Sequence, residues 1–174
     1  MFEAAEAVRE GGPDMEIDMV VNVGKVLGGE WGYVEDEIRR VNEVVTGGGG
    51  VLKVIFENDY LGDGEIVRLC EVCEGVGVGF VKTSTGYGFV KRENGMYAYE
   101  GATVRQVRLM REHVGDRVQI KAAGGVRTLD DLILMRSLGV TRVGATATVA
   151  ILGEARKRGI GDDEVEVEVK GGGG

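Results

Sequence analysis

Soft metal ligands and imidazole bases are nearly missing from this 174-residue chain, which has two cysteines and one histidine. Cys70 and Cys73 have the Cys-x-x-Cys spacing that invites a redox or metal reading. No second pair exists to complete a zinc site, and the stretch Glu65 to Cys73 has a helical period. Two thiols buried in a helix are therefore expected, and no metal site. The lone histidine, His113, falls near a predicted helix end, where it suits the C-terminal dipole better than base catalysis. Positive charge is also short: 21 Lys and Arg against 29 Asp and Glu leave a net charge of −8. No basic field draws nucleic acid or an anionic membrane, although a local positive pocket is still allowed. No apolar run approaches the roughly 18 residues of a membrane-spanning helix. Met1-Phe2-Glu3-Ala4-Ala5-Glu6 is acidic and helical in pattern, unlike a signal peptide or a mitochondrial presequence. The expected compartment is the cytoplasm.

What is abundant is apolar sequence, at 43%, and glycine, at 31 residues. The first makes a globular chain, long enough for one domain with a sizeable core. Four glycines in a row occur at Gly47 to Gly50, read as a flexible helix-to-strand loop, and at Gly171 to Gly174, read as a frayed tail. Strand and helix patterns alternate along the chain. Strands are expected at 16–22, 51–57, 78–83, 117–122 and 141–145. Helices are expected at 2–10, 30–45, 63–74, 103–114, 128–138 and 148–158, with a Gly- and Tyr-rich loop over 86–102. Thr128 and Asp131 make a capping arrangement. Near-continuous apolar strands between amphipathic helices imply a parallel α/β sheet covered by helices. A closed barrel of eight such units ordinarily takes about 250 residues. Five strands therefore predict an incomplete (β/α)8 barrel, lacking about three N-terminal units, and an open doubly wound sheet is the alternative. Residues 1–160 form the domain, and 161–174 are an acidic, Gly-rich tail. Within that tail Glu164 to Val169 alternates with period two, which suits either an edge strand or a solvated tail.

Four charged residues interrupt four successive apolar strands: Asp18, Lys53, Lys82 and Lys121. Buried ionisable groups are costly unless paired, so their recurrence points to convergence on one interior site. A lysine attacks a carbonyl only as the free amine, and a neighbouring ammonium with partial desolvation favours that form. The protonated imine then serves as an electron sink for carbon–carbon cleavage or formation, with Asp18 placed to move protons. Spacing alone does not choose among the three lysines. A buried ion-pair network without chemistry is the bland alternative. Gly124-Gly125-Val126 and Gly144-Ala145-Thr146 end the last two strands, where barrels often bind phosphate.

Three stretches carry a resemblance to the deoxyribose-phosphate aldolase family. They are Glu16-Ile17-Asp18-Met19-Val20-Val21-Asn22-Val23-Gly24, Phe80-Val81-Lys82-Thr83-Ser84-Thr85-Gly86, and Lys121-Ala122-Ala123-Gly124-Gly125-Val126-Arg127-Thr128. The weaker Val143-Gly144-Ala145-Thr146 makes a fourth. The resemblance implies a barrel corresponding to the family's last five strands, needing no cofactor. It implies a lyase of deoxyribonucleotide catabolism and carbohydrate degradation. Its reaction would be reversible cleavage of 2-deoxy-D-ribose 5-phosphate to acetaldehyde and D-glyceraldehyde 3-phosphate. Lys82 stands at the Schiff-base lysine, Lys121 at the lysine that lowers its pKa, and Asp18 at the proton-relay carboxylate. Gly86, Gly124, Gly125, Gly144 and Thr146 match positions near the phosphate, and Lys53 and Thr83 join them on the substrate side. The implied partner is a small phosphorylated sugar, with a homo-oligomer left open. Two features depart from the family: its first three strands have no counterpart, and the tyrosine that some members carry at the C-terminus is absent. A truncated, inactive partial barrel acting as an interaction module or fragment is the second reading.

Overall fold

In a computed structural model, which describes Met1–Gly161, Asp163 and Val165–Val169, the chain builds one parallel sheet with helices on one side. The sheet strands are β1 (Glu16–Val20), β2 (Val51–Ile55), β3 (Phe80–Lys82), β6 (Gln119–Ala123) and β7 (Arg142–Gly144). Each is shorter than its apolar run. Between β3 and β6 the presumed loop contains a small antiparallel hairpin, β4 (Val90–Lys91) and β5 (Tyr97–Ala98). The helices are α1 (Phe2–Gly11), α2 (Val23–Leu27), α3 (Trp31–Gly47), α4 (Asp63–Val76), α5 (Val104–His113), α6 (Leu129–Ser137) and α7 (Thr148–Lys157). Sequence periodicity missed α2 because five residues give no second turn to register a period. It starts instead on a cap: the Asn22 side chain accepts from Lys25 N at 3.2 Å.

The strand order β1-β2-β3-β6-β7 follows the chain, and every neighbouring pair in it is parallel. A doubly wound sheet reverses its order part-way, so that alternative falls. Sequential parallel crossovers of one hand put all covering helices on one face and leave the other face as a barrel interior. The side chains sort accordingly. Leu52, Val54, Val81, Ile120 and Ala122 point to the helices and join the core with Val34, Ile38, Ile66, Leu69, Val107 and Met110. The alternate positions Asp18, Lys53, Lys82 and Lys121 point to the interior, where the pairs Asp18↔Lys53 and Lys82↔Lys121 are in register.

Curvature is measurable from the charges. Four sheet spacings separate β1 from β7, roughly 19 Å if the sheet were flat. Yet Arg142 Nη1 on β7 lies 2.6 Å from Glu16 Oε2 on β1. The five strands therefore curl into part of a barrel.

Glycine ends the helices. The Gly47–Gly50 run is a hydrogen-bonded stop signal, not a loose loop. Gly49 takes φ 82°, its N–H donates to Thr46 O at 3.0 Å, and Gly50 N–H donates to Val45 O at 2.9 Å. The expected capping box forms too: Asp131 N donates to Thr128 Oγ1 at 3.1 Å and Thr128 N to Asp131 Oδ2 at 2.9 Å. His113 closes the last turn of α5, its Nδ1 2.8 Å from Leu109 O. Val165–Val169 forms no strand; Glu164 and Gly171 to Gly174 lie outside the described residues. No described helix is long and apolar enough to cross a membrane.

Cys70 and Cys73 are free and buried on α4, and no described cluster of His, Cys, Asp or Glu fits a metal ion. Burial pushes the Cys70 thiol up to about 12 and the Cys73 thiol well above its ordinary value. At pH 8 the Cys70 thiolate is then about one part in ten thousand. Native protein should release essentially no thionitrobenzoate from Ellman's reagent at pH 8, and two equivalents in denaturant. Fast release from native protein would refute the burial argument.

Candidate active site

The interior charges meet on one carboxylate. Asp18 Oδ2 lies 3.2 Å from Lys82 Nζ and 3.0 Å from Lys121 Nζ, and Asp18 Oδ1 lies 3.7 Å from Lys53 Nζ. All four predicted residues are thus brought together, with Asp18 as the hub. Lys53, at 3% exposure, sits deepest and has a closer partner in Glu16, 3.0 Å away. Glu16 in turn holds Arg142, whose guanidinium lies 5.4 Å from the centre of the Phe80 ring. Glu16 and Arg142 were absent from the sequence-derived site. Period two was the available signal, since Glu16 precedes Asp18 by two residues and shares its face.

Electrostatics separate the groups. Burial is the largest influence on Lys82 and pushes its pKa down; Asp18 opposes this and Lys121 reinforces it, and the net shift is downward. For Asp18 burial works upward, but Lys121 and Lys82 outweigh it and hold the carboxyl below its ordinary value. Hydrogen bonds from Arg142 and Lys53 hold Glu16 low as well. The result is a poised amine beside a carboxylate that stays charged.

Above Lys82 opens a cavity of about 290 Å³, lined by Lys82, Lys121, Gly86, Gly124, Gly125, Gly144 and Thr146 together with Arg127, Tyr87 and Tyr99. Gly124 and Gly125 take φ 82° and 79°, which only glycine adopts without strain, so the chain after β6 turns its bare backbone to the cavity. Lys121 and Arg127 supply positive charge there, the local pocket that an acidic chain still allowed. The cavity suits a small anion-bearing carbonyl compound.

Thr83 is placed differently from the other predicted contacts. It is fully buried, its hydroxyl donating to Ala123 O at 2.8 Å and accepting from Ala123 N at 3.0 Å. It rivets β3 to β6 behind the cavity. Two further carboxylates, one at the end of the expected 51–57 run and one beyond it, brace the cavity loops. Glu57, left-handed at φ 59°, accepts from Ser84 Oγ at 2.7 Å and Thr85 N at 3.0 Å. Asp59 accepts from Glu100 N and Gly101 N.

No family model matches the chain. A curated deoxyribose-phosphate aldolase from Rhodopirellula baltica is 46% identical over 172 residues, 99% of this chain and 66% of that protein. Among solved structures, the aldolase QR15 superposes with a TM-score of 0.78 at 33% identity, covering 91% of this chain and 66% of its own. A deoxyribose phosphate aldolase from Aeropyrum pernix, described as a unique tetramer, gives a TM-score of 0.73 at 24% identity over 90% of this chain and 60% of its own, a likeness of fold. The chain spans about two thirds of the length of the curated relatives it matches, 66% and 61% in two of them.

Proposed function

Given that the chain belongs to the deoxyribose-phosphate aldolase family, over about two thirds of its relatives' length, we propose that it carries that family's Schiff-base site, with Lys82 as nucleophile. The substrate is 2-deoxy-D-ribose 5-phosphate, cleaved reversibly to acetaldehyde and D-glyceraldehyde 3-phosphate. The observation that carries this reading is the buried Lys82, lowered in pKa, 3.2 Å from the Asp18 hub at the floor of a positively lined cavity.

The roles follow from the contacts. Unprotonated Lys82 adds through its lone pair to the substrate carbonyl carbon, and the carbonyl oxygen takes up a proton. Loss of water from the resulting carbinolamine leaves an iminium. Asp18 lies within reach of the proton transfers on that nitrogen and on the neighbouring carbon. Removal of the proton from the hydroxyl two carbons beyond the iminium carbon turns that C–O into the carbonyl of the phosphorylated aldehyde. The carbon–carbon bond between breaks, and its electron pair passes into the iminium to give an enamine. Protonation of the enamine and hydrolysis return acetaldehyde and the free lysine. Lys121 favours the neutral amine by its charge, while Gly86, Gly124, Gly125, Gly144 and Thr146 receive the phosphate with Arg127. Lys53 holds the hub from below, and Thr83 fixes β3 against β6.

Incubation with acetaldehyde and borohydride should add 28 mass units, an ethyl group, to the Lys82 peptide, about one per chain at saturation. Folded protein without that adduct would sink the proposal. One observation favours the alternative of an inactive partial barrel serving as an interaction module: β1 and β7 end the sheet with one paired side each. Size-exclusion chromatography with a turnover assay decides, because a discrete, active species excludes it.

A further inference from the structure

We propose that Asp59 is a positioning residue for the phosphate end of the cavity, acting through the backbone at Glu100 and Gly101; the inference rests on the aldolase reading above.

Asp59 sits in the short 3-10 turn Asn58–Tyr60 after β2, and its side chain is only 2% exposed. A buried carboxylate needs several donors, and it has them from a distant segment. Arg92 Nη2 donates at 2.8 Å, Glu100 N at 2.6 Å and Gly101 N at 2.9 Å. Arg92 belongs to the β4–β5 hairpin, and Glu100 and Gly101 close it. One side chain therefore ties both ends of the hairpin in the segment that brings Tyr87 and Tyr99 to the cavity wall.

The clamped backbone presses directly on the glycine turn. Ala102 N donates to Gly124 O at 3.0 Å. A Cβ on Gly101 would fall 2.5 Å from Gly124 C, and one on Gly125 would fall 2.6 Å from Glu100 O. Backbone meets backbone with no room between, so the position of 100–101 dictates that of 124–125. The chain of dependence runs from Asp59 to Gly101 to Gly124, and ends on the turn that would hold the phosphate. None of these hydrogen bonds involves the Lys82 amine or the Asp18 carboxylate, whose own bonds are to each other and to Lys121. The imine chemistry and the phosphate grip are therefore separable.

The separation gives the test. Acetaldehyde has no phosphate, so its borohydride trapping at Lys82 reads the lysine site alone. Retro-aldol kinetics with 2-deoxyribose 5-phosphate, and competitive inhibition of that turnover by inorganic phosphate, read the glycine turn. Asp59→Asn keeps the shape and removes the charge; Gly101→Ala keeps the Asp59 carboxylate and pushes on Gly124 from the other end of the chain of contacts. Both should raise KM for the phosphorylated sugar and the inhibition constant of inorganic phosphate about tenfold, leave kcat within about threefold, and leave acetaldehyde trapping within about twofold. Arg92→Gln removes one donor of the three and serves if either variant fails to fold, with a smaller shift of the same kind. Unchanged phosphate dependence in folded variants would overturn the inference, as would equal loss with both ligands. Wild-type protein that traps no acetaldehyde would instead overturn the aldolase reading.

Discussion

Lys82→Met should lose the trapped acetaldehyde adduct and slow turnover by a factor on the order of 10⁴–10⁶, the scale on which removal of a covalent nucleophile is felt. Neither neighbouring lysine is placed to replace it. Lys53 lies 3.0 Å from Glu16 and does not line the cavity, and Lys121 donates to both Asp18 oxygens at 3.0 and 3.4 Å. The same substitution should not weaken the fold. The Lys82 pKa is lowered in the native state, chiefly by burial, so at neutral pH the unfolded chain holds that proton more tightly. The group then costs stability below its folded pKa, and the cost fades as pH rises from there toward the ordinary lysine value near 10.4. Met fills a similar volume without charge, and Asp18 keeps Lys121 and Lys53 nearby. A gain of about 1 kcal/mol at pH 7, or roughly 2–4 °C in melting temperature, is expected, shrinking above pH 10. Thermal melts at pH 7 and 10, run beside the trapping assay, check both halves. Surviving adduct, or a melt lowered by several degrees, would contradict the assignment of Lys82 as a strained nucleophile.

The architecture was legible because each strand is a short apolar run between longer helical runs. The boundaries were less so. Apolar runs such as 78–83 extend past the three paired residues of β3, since Val78 feeds the helix-side core without joining the ladder. The hub was legible for a physical reason: Asp18, Lys53, Lys82 and Lys121 are charges where an apolar residue is the cheap choice, and each is flanked by core residues. Glu16 and Arg142 stand at the mouths of their strands, where charge is ordinary, and only the curl of the sheet makes them a pair. Glu57 and Asp59 lie in a turn, where carboxylates are commonplace. Their importance comes from donors 27 to 42 positions away in the chain, a separation no local pattern encodes. The choice of Lys82 over Lys121 came from family resemblance; desolvation of Lys82 now gives it an independent physical reason.

Asp18→Asn should divide the reaction into a part that survives and a part that fails. Asp18 is the carboxylate within 4 Å of all three interior lysines, and its charge raises the Lys82 pKa against burial. Facing Lys82 and its hub are Glu16 and Asp18 from β1, Lys53 from β2, Lys121 from β6 and Arg142 from β7, with Arg127, Tyr87 and Tyr99 around the cavity. Removing one negative charge from that set leaves Lys82 with burial and Lys121, both acting downward. Acetaldehyde trapping should then reach half its plateau at a lower pH than in the wild type, with trapping at pH 7 at least equal. Turnover should nonetheless fall by roughly 10²–10⁴, because the group proposed to move protons is gone. Stability should fall by about 1–3 kcal/mol at pH 7, less than for a fully enclosed pair because the Asp18 side chain keeps 32% exposure. The sign of its pH dependence is fixed. The Asp18 carboxyl is lowered in the folded state, so its contribution is complete above the ordinary carboxylate value near 3.9 and drains away as pH falls through the folded value. Wild type and variant should therefore differ constantly from pH 5 to 7 and converge in acid. A trapping profile that moves upward, or trapping that fails in proportion to turnover, would mean that Asp18 serves the lysine's reactivity directly and not the proton transfers that follow.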